Sequence, residues 1–358
     1  MKDYSFDHLK GGVREYINIL IAIIDNYLAS NKNDKMLEYL NTLSDLYDSI
    51  DFIIDIDKLK DIKNIVLNIQ DNIDNYISNK EKDIVLISKE LTAREKTLVD
   101  RGYDKDEVLK LSSYSIDDLV NISNRIIDRI TKDCKRVDNP TCIFIGGQPG
   151  CGKSTSSKFL KKDLFLDTGI VEIGIDIYRS YHPNYLMIED CIKKHWMNRD
   201  KTENDSSGND IADFTHQFAA DVTDILAEKL SSMKYNLIIE WGMRNPDEPL
   251  NTMNILKKKG YKNIVNFVAV HKDISYNACI LRADIMDGEE HIVRRIPKSF
   301  HDLCINSLPD SCNKIYTEGY LNNKYIDSLS ITTREGNIIW DSTTNKEPLE
   351  IYKNYLNN

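Results

Sequence analysis

The sequence predicts two parts, an all-α helical domain over residues 1–135 and an α/β domain over residues 136–358 with a mainly parallel sheet and flanking helices. The first part lacks proline and contains only three glycines, whereas all eight prolines lie from Pro140 onward. Because proline and glycine interrupt helices, their scarcity favours helices joined by short polar turns. The second part alternates short apolar segments with helix-length ones, which is typical of βαβ crossovers in a parallel sheet.

Local patterns support the helical first part. Over one stretch, apolar residues recur at steps of three and four and predict a single apolar face: Ile62, Val66, Ile69, Ile73 and Ile77. Ser115 is expected to cap a helix whose first turn contains Asp118. Gly102 is expected to end a helix over Lys89–Asp100. Because Asn and Asp are frequent in these segments, mutual packing must hold the helices.

The second part contains segments with the length of buried strands: Thr141–Ile145, Val171–Ile175, Asn236–Glu240 and Ile264–Val270. Two further segments, Asp327–Thr332 and Ile338–Asp341, flank the turn residues Arg334–Asn337 and predict an edge hairpin. We expect the joint between the two parts at Lys132–Pro140. We also expect a mobile surface insertion at Asn198–Asp210, which is rich in polar residues.

Composition excludes several classes of protein. At 41% hydrophobic residues the chain is too apolar for wholesale disorder, and its net charge of −10 argues against a general nucleic-acid or anionic-membrane binder. The apolar stretch Ile17–Ile24 is far shorter than the ~20 residues of a membrane span. The first ten residues contain no apolar run that ends in a small-residue cleavage site, so we expect no secretion signal, and the scattered cysteines contain no CxxC pair. We therefore expect a cytoplasmic protein with neither membrane nor nucleic acid as its partner.

The most specific motif is a phosphate-binding loop. A predicted strand runs into the sequence GQPGCGKS at Gly147–Ser154, which satisfies GxxxxGK[ST]. Its glycines allow backbone N–H groups to face phosphates, Lys153 would reach the β- and γ-phosphates of ATP or GTP, and the Ser154 hydroxyl would ligate Mg²⁺. The predicted nucleotide-binding residues are Gly147, Gln148, Pro149, Gly150, Cys151, Gly152, Lys153, Ser154 and Thr155.

A phosphate-binding loop occurs in switches, motors and kinases alike. A GTPase needs an NKxD element downstream of the loop, but Asn31–Asp34, the one NKxD in the chain, lies upstream. A motor is expected to have a hydrophobic strand that ends in Asp or Asp-Glu, which activates water. The strand here ends in a single glutamate, Glu240, instead. A kinase for a small acceptor fits better, because Asp176 follows a second strand and can serve as the base for an acceptor hydroxyl.

Further sequence blocks follow the loop in a specific order. IGGQPGCGKST is followed by IDIYRSYHPNY and YNLIIEWGMR, and then by the stretches Lys259–Tyr276 and Arg294–Asp302. Together these blocks resemble the zeta toxins of bacterial toxin–antitoxin systems. The resemblance covers roughly residues 138–345 and none of residues 1–130.

The resemblance implies a P-loop kinase that uses ATP and Mg²⁺ to phosphorylate the 3′-hydroxyl of UDP-N-acetylglucosamine or a related sugar nucleotide, which blocks cell-wall synthesis. It implies that Lys153 and Ser154 hold the nucleotide and the metal, and that Asp176 accepts the hydroxyl proton. Arg282 and Arg294 would clamp the phosphates during transfer. The residues that the resemblance assigns to substrate binding are Asp176, Asp224, Glu240 and Arg244.

Two positions depart from the family pattern. Asp224 stands where a glutamate is usual, and Gly242 stands where a threonine is common. These changes leave the kinase chemistry intact but leave the identity of the sugar open. The alternatives are a kinase that acts on another nucleotide or on a nucleic-acid end, and a non-catalytic ATP-binding regulatory switch.

The helical first part has no counterpart in the resemblance. Zeta toxins are held inactive by a separate small helical antitoxin, whereas here a helical segment is fused upstream of the kinase. We therefore predict that residues 1–135 act as a cis-acting, antitoxin-like regulator that restricts ATP entry. A separate antitoxin is one alternative, and a helical part that serves only oligomerisation or stability is another.

Overall fold

The computed structural model of the chain describes residues 5–77, 90–164, 168–197, 207–286, 292, 295–344 and 346–357. The chain divides into two compact units, each built from three segments. The first unit comprises Met1–Ile122, Asp176–Val222 and Ile280–Arg295, and the second comprises Ser123–Ile175, Thr223–Cys279 and Ile296–Asn358. The helical first part thus shares its unit with two later segments of the chain, and its regulatory role stays a prediction.

Helices dominate the chain. They are α1 (Ser5–Leu28), α2 (Asp34–Ser49), α3 (Ile56–Ile77), α4 (Ala93–Asp100), α5 (Lys105–Leu111), α6 (Ile116–Ile130), α7 (Lys153–Leu164), α8 (Ile175–Tyr178), α9 (Tyr185–Met197), α10 (Ser207–Ser232), α11 (Asp247–Lys258), α12 (Lys272–Asp284), α13 (Lys298–Lys314) and α14 (Pro348–Asn357). The strands are β1 (Thr141–Gly146), β2 (Val171–Gly174), β3 (Leu237–Glu240), β4 (Lys262–Val268), β5 (Ser328–Thr332) and β6 (Ile338–Asp341). Within the described residues, no helix combines the length and the apolar character that crossing a membrane requires.

The second unit contains a six-stranded sheet in the order β2-β3-β1-β4-β5-β6. Strands β1 to β5 pair in parallel, and β6 returns antiparallel to β5. This arrangement confirms the predicted mainly parallel α/β fold and the predicted edge hairpin. The strand ends differ from the predicted ones by at most two residues, which is the usual uncertainty at the ends of an element.

The central strand explains where the candidate site lies. β1 lies between β3 and β4, and its residues from Cys142 to Gly146 are buried. Strands covered on both faces need apolar side chains on both faces, which explains the run CIFI. The carboxyl ends of β1, β2 and β3 meet at one edge, since Ile145 and Gly174 are both in register with Glu240. In open α/β sheets, this edge is where ligands bind.

The first unit has a helical core of its own. The predicted apolar face of α3 is confirmed for Ile62, Val66, Ile69 and Ile73, which are all buried, while the side chain of Ile77 lies outside the described ones. Helix α1 is apolar nearly all round from Tyr16 to Ile24, and every residue of that stretch except Asn18 is buried. The same core includes side chains of α9 and α10, namely Tyr185, Ile188, Cys191, Ile192, Ile211 and Phe214. Helix α9 and the first part of α10 therefore depend on the first 122 residues for the burial of their apolar side chains.

Side-chain caps set several helix boundaries in the first unit. Ser115 accepts a hydrogen bond from the N–H of Asp118 at 2.9 Å, as its position before α6 predicts. Thr92 and Glu95 form a capping box at the start of α4. The helix predicted to start at Lys89, a residue outside the described ones, therefore begins after Thr92 instead.

The predicted surface insertion is helical at its end. Its residues 198–206 lie outside the described part of the chain, whereas Asp210 belongs to α10 and is fully buried. Asp210 pairs with Arg101 at 2.5 Å and accepts hydrogen bonds from Tyr103 and Trp196 at 2.7 and 2.8 Å. The expectation of a mobile loop is therefore wrong for residues 207–210, because a buried carboxylate is stable only when donors hold it in place.

Candidate active site

The phosphate-binding motif forms a tight loop between β1 and α7 in the second unit. Gly147, Gly150 and Gly152 have φ values of 148°, 75° and 89°, in the region that favours glycine. A Cβ at Gly150 would also collide with the carbonyl oxygen of Ser275. The loop therefore needs glycine both for its backbone conformation and for the close approach of its neighbours.

Lys153 and Ser154 occupy the first turn of α7. Lys153 Nζ donates to the carbonyl oxygens of Gly147 and Gln148 at 3.1 and 3.3 Å, so the ammonium lies against the loop backbone. Ser154 is exposed. The first N–H groups of a helix lack intrahelical acceptors and carry the positive end of the helix dipole, which favours an anion at this position.

Gln148 and Cys151 are buried loop residues with structural roles. Gln148 Nε2 donates to the carbonyl oxygen of Val270 at 2.7 Å and to Ser275 Oγ at 3.3 Å. Burial raises the pKa of the Cys151 thiol even though the charge of Lys153 lies nearby. The thiol is therefore neutral, which argues against a redox switch in the loop.

Glu240 ends β3 beside the loop. It is in register with Ile145, near the carboxyl end of β1. Its negative charge also contributes to raising the pKa of the Cys151 thiol, as expected for a carboxylate close to the loop. The other predicted substrate residues of the second unit, Asp224 on α10 and Arg244 after β3, are exposed.

Asp176 belongs to the first unit and lies in the single turn of α8. Its side chain is 58% exposed, and its Oδ1 accepts a hydrogen bond from Arg179 Nε at 2.9 Å. Arg179 also donates to the carbonyl oxygen of Ala212 at 2.8 Å. The guanidinium is thus held by two contacts and orients the Asp176 carboxylate. Nearby, His182 Nδ1 accepts the N–H of Asn184 at 3.1 Å and fixes the turn that precedes α9.

Arg282 lies in the last turn of α12, in the first unit. Its NH2 group forms an ion pair with Glu15 Oε2 of α1 at 2.5 Å. The second predicted clamp residue, Arg294, lies outside the described residues. The structure thus brings a carboxylate of the helical first part onto one predicted phosphate-clamping arginine.

Three residues that the sequence analysis does not assign to the site have contacts or charged surroundings of note. Arg334 is buried and donates to carbonyl groups of the phosphate-binding loop. Glu15 pairs with Arg282. His216 on α10 has its pKa lowered to about 4 by burial and by the charges of Arg94 and Arg179. Of these three, only Arg334 could have been found from the sequence, because it follows a predicted strand at the sheet edge where ligands bind.

Comparison with known proteins agrees with these features. The sequence profile of the family described as Zeta toxin matches residues 124–345, which is more than half of the chain. The chain is 28% identical to Toxin PezT of Streptococcus pneumoniae serotype 4 over 238 residues, which covers 66% of this chain and 85% of that protein. It is 26% identical to Toxin zeta of Streptococcus pyogenes over 242 residues, which covers 66% of this chain and 76% of that protein.

A solved structure from the PezAT chromosomal toxin–antitoxin system of Streptococcus pneumoniae has a similar fold. It aligns with a TM-score of 0.55 and 25% sequence identity, and the alignment covers 68% of this chain and 89% of that one. Together with the phosphate-binding loop on a parallel sheet, these similarities support a P-loop, kinase-like phosphotransferase of the toxin type. By this similarity in sequence and fold, the chain belongs to the zeta toxin family.

Proposed function

We propose that this chain transfers the γ-phosphate of ATP, with Mg²⁺, to the 3′-hydroxyl of UDP-N-acetylglucosamine or a related sugar nucleotide. The observation that carries the proposal is the loop Gly147–Ser154, in which the Lys153 ammonium lies against the backbone at the end of β1. Phosphorylation of a wall precursor would block cell-wall synthesis, which is consistent with membership of a toxin family.

The residues of the loop fit a nucleotide and a magnesium ion. Gly150 and Gly152 adopt the left-handed backbone conformation with which successive N–H groups can line a concave site for phosphate. The exposed Ser154 hydroxyl provides an oxygen donor, which Mg²⁺ prefers. Bound there, Mg²⁺ would offset the negative charge of the phosphates. GTP would fit the same backbone contacts.

Asp176 is the proposed base. Its carboxylate accepts the proton of the acceptor hydroxyl while the hydroxyl oxygen bonds to the γ-phosphorus and the bond to ADP breaks, which yields ADP and the phosphorylated acceptor. Arg179 orients the carboxylate through Oδ1. Catalysis of phosphoryl transfer rests mainly on positioning and charge stabilisation, so we assign Lys153, Arg282 and Arg294 to the transferring group.

The acceptor is assigned through the family resemblance. Glu240 at the end of β3, together with Asp224 and Arg244, is proposed to bind the sugar nucleotide. Asp224 is one methylene shorter than the usual glutamate, and Gly242 lacks the hydroxyl of the common threonine. A related sugar nucleotide or another nucleotide is therefore the main alternative acceptor. The net charge of −10 disfavours a nucleic-acid end.

Mass spectrometry of UDP-N-acetylglucosamine incubated with Mg²⁺-ATP and the full chain tests this proposal. We expect a product that is heavier by one phosphoryl group. The Asp176→Asn variant should not form it, whereas a control variant at an exposed aspartate of α6, Asp128→Asn, should form it normally. If ATP binds but no product forms, the acceptor assignment is wrong, and labelled ATP in a metabolite extract would identify another. If ATP does not bind, the kinase assignment is wrong.

We further propose that α1 restrains the kinase in cis. Glu15 pairs with Arg282, and Lys63 Nζ of α3 donates to the carbonyl oxygen of Ile285 at 2.7 Å. Two helices of the first part therefore contact the end of α12 and the residue that follows it. An arginine that is already paired with a carboxylate cannot offer its full charge to a phosphate. A separate antitoxin is the alternative partner, since the similar PezAT structure comes from a toxin–antitoxin system.

A point substitution tests the restraint better than truncation, because α9 and α10 share their core with the helices that truncation would remove. We expect Glu15→Gln in the full chain to raise the rate of phosphoryl transfer by about fivefold, since releasing a half-exposed ion pair amounts to about 1 kcal/mol. Glu38→Gln removes an exposed glutamate of α2 that pairs with Lys35, and serves as the control. Equal rates in both variants and the wild type would contradict the restraint and favour a stabilising role for the helical part.

A further inference from the structure

Arg334 is a buried cation next to the phosphate-binding loop. It lies in the turn after β5, within the second unit, and is 3% exposed. Its NH2 group donates to the carbonyl oxygen of Gly150 at 2.6 Å, and its Nε donates to that of Cys151 at 3.2 Å. One guanidinium thus holds the carbonyl groups of two consecutive peptide units in the loop.

We propose that Arg334 is a positioning residue that orients the loop for nucleotide phosphates, an inference that rests on the nucleotide binding proposed above. In a planar trans peptide, the C=O and N–H groups point in opposite directions. Holding the carbonyl groups of Gly150 and Cys151 on the guanidinium therefore turns the N–H groups of Cys151 and Gly152 away from Arg334. The N–H of Cys151 also donates to the carbonyl oxygen of Gln148 at 3.3 Å. We therefore assign the N–H of Gly152 to phosphate, in the part of the motif that surrounds it.

The fit between Gly152 and the Arg334 side chain supports this role. A Cβ at Gly152 would lie 2.6 Å from Arg334 Nε, 2.8 Å from its Cγ and 3.0 Å from its Cδ. Glycine is thus needed at this position for space as well as for its φ of 89°. An arginine that contributed only a distant surface charge would not need such close packing against the loop.

The turn between β5 and β6 holds the Arg334 backbone in place. The N–H of Thr333 donates to the carbonyl oxygen of Asn337 at 2.8 Å, and the N–H of Gly336 donates to that of Thr333 at 3.1 Å. Gly336 supplies a φ of 85°, which closes the turn. The Arg334 guanidinium therefore extends to the loop from a turn that backbone hydrogen bonds hold in place.

A buried amide links the same strand end to α7. Asn266 Nδ2 donates to Ser156 Oγ at 3.2 Å and to Thr332 Oγ1 at 3.0 Å, and its Oδ1 accepts a hydrogen bond from Ser330 Oγ at 2.9 Å. Ser156 lies in α7, shortly after the loop. The end of β5 is thus connected both to the loop, through Arg334, and to the helix that follows it.

Isothermal titration calorimetry with the imido analogue of ATP and Mg²⁺ tests the inference in the full chain. We expect Arg334→Gln to raise the Kd by about tenfold or more, because two charge-assisted hydrogen bonds are lost. Arg334→Lys should fall between Arg334→Gln and the wild type, since an ammonium keeps the charge but lacks the planar fork. Arg129→Gln, which removes a half-buried arginine of α6, should leave the Kd unchanged.

The stoichiometry separates positioning from a merely structural role. A positioning role raises the Kd with about one site per chain retained, whereas partial unfolding lowers the number of sites at an unchanged Kd. A wild-type Kd in Arg334→Gln, or a loss of sites alone, would overturn the inference. The series is repeated in the Glu15→Gln background, where the proposed restraint is released. If neither the wild type nor Glu15→Gln binds the analogue with Arg334 intact, the proposed nucleotide binding is wrong, and the proposed role of Arg334 is wrong with it.

Discussion

Gly12 of α1 lies directly against the backbone carbonyl of Arg282 at the end of α12. A Cβ at Gly12 would collide with that carbonyl oxygen, whereas a Cβ at the adjacent Gly11 would lie 3.8 Å from Arg282 Cδ, an ordinary van der Waals distance. The two neighbouring glycines therefore differ sharply in what an added methyl group would meet. The close approach at Gly12 is what allows Glu15, one turn further along α1, to reach the Arg282 guanidinium.

Substitution of the two glycines should separate the restraint from general stability. We expect Gly12→Ala to lower the free energy of unfolding by about 1–3 kcal/mol through overpacking, and to raise phosphoryl transfer because α1 must move away from Arg282. Gly11→Ala should instead stabilise α1 by up to about 1 kcal/mol and leave transfer unchanged. Urea unfolding and the transfer assay measure the two effects. Indistinguishable transfer rates in both variants would contradict the restraint by α1.

Arg101 should be among the most important single residues for the stability of the first unit. It pairs with Asp210 at 2.5 Å and with Asp213 at 2.9 Å, and these carboxylates are 0% and 5% exposed. Removal of the guanidinium would leave the buried Asp210 carboxylate with its neutral donors Tyr103 and Trp196 but without this cation, so we expect Arg101→Met to cost about 3 kcal/mol in the free energy of unfolding. Arg94→Met is the control, because Arg94 is 40% exposed and should cost about 1 kcal/mol or less. Equal costs in urea unfolding would refute this reasoning.

Much of the fold could be predicted because its signals are local. The apolar runs of β1 and β3, the spacing of the βαβ crossovers and the glycines of the phosphate-binding loop all lie within short stretches of sequence. The three-and-four spacing of Ile62 to Ile73 likewise specified a helix face, and that face is buried. The start of α4 is predicted less well, since the capping box of Thr92 and Glu95 begins the helix at Ala93, after the expected start at Lys89.

The remaining features could not be predicted because they depend on contacts between distant segments. Nothing near Glu15 in the sequence indicates a partner in α12, and nothing near Arg101 indicates Asp210. The insertion that ends at Asp210 has the composition of a loop, yet tertiary ion pairing makes its end helical and buried. Tertiary contacts here override local propensity.

His216 should contribute to the pH dependence of the free energy of unfolding. Burial, with Arg94 and Arg179 nearby, lowers the pKa of His216 to about 4 from its ordinary value of 6.5. The unfolded chain therefore takes up a proton at a higher pH than the folded chain does. The free energy of unfolding should consequently fall as the pH drops from about 6.5 towards 4, by on the order of 1 kcal/mol after allowance for solvent screening.

Comparison with His216→Gln isolates this contribution, because His301, whose pKa burial also lowers, titrates in both proteins. Urea unfolding at pH 7 and pH 4.5 measures the difference. We expect the variant to lose less stability on acidification than the wild type by about 1 kcal/mol. An identical loss in the two proteins would show that His216 is not held neutral in the folded chain.

A comparison of Asp176→Asn with Lys153→Ala in the full chain tests most directly whether the chain is a kinase that uses this loop and this base. Binding of Mg²⁺-ATP is measured by calorimetry, and phosphoryl transfer to UDP-N-acetylglucosamine is measured by mass spectrometry. We expect Asp176→Asn to bind ATP normally but to transfer at least about 100-fold more slowly, because only proton acceptance is lost. We expect Lys153→Ala to lose ATP affinity as well as transfer. Wild-type transfer by Asp176→Asn, or unchanged ATP affinity and transfer in Lys153→Ala, would contradict the assignment of this loop and this base to a kinase.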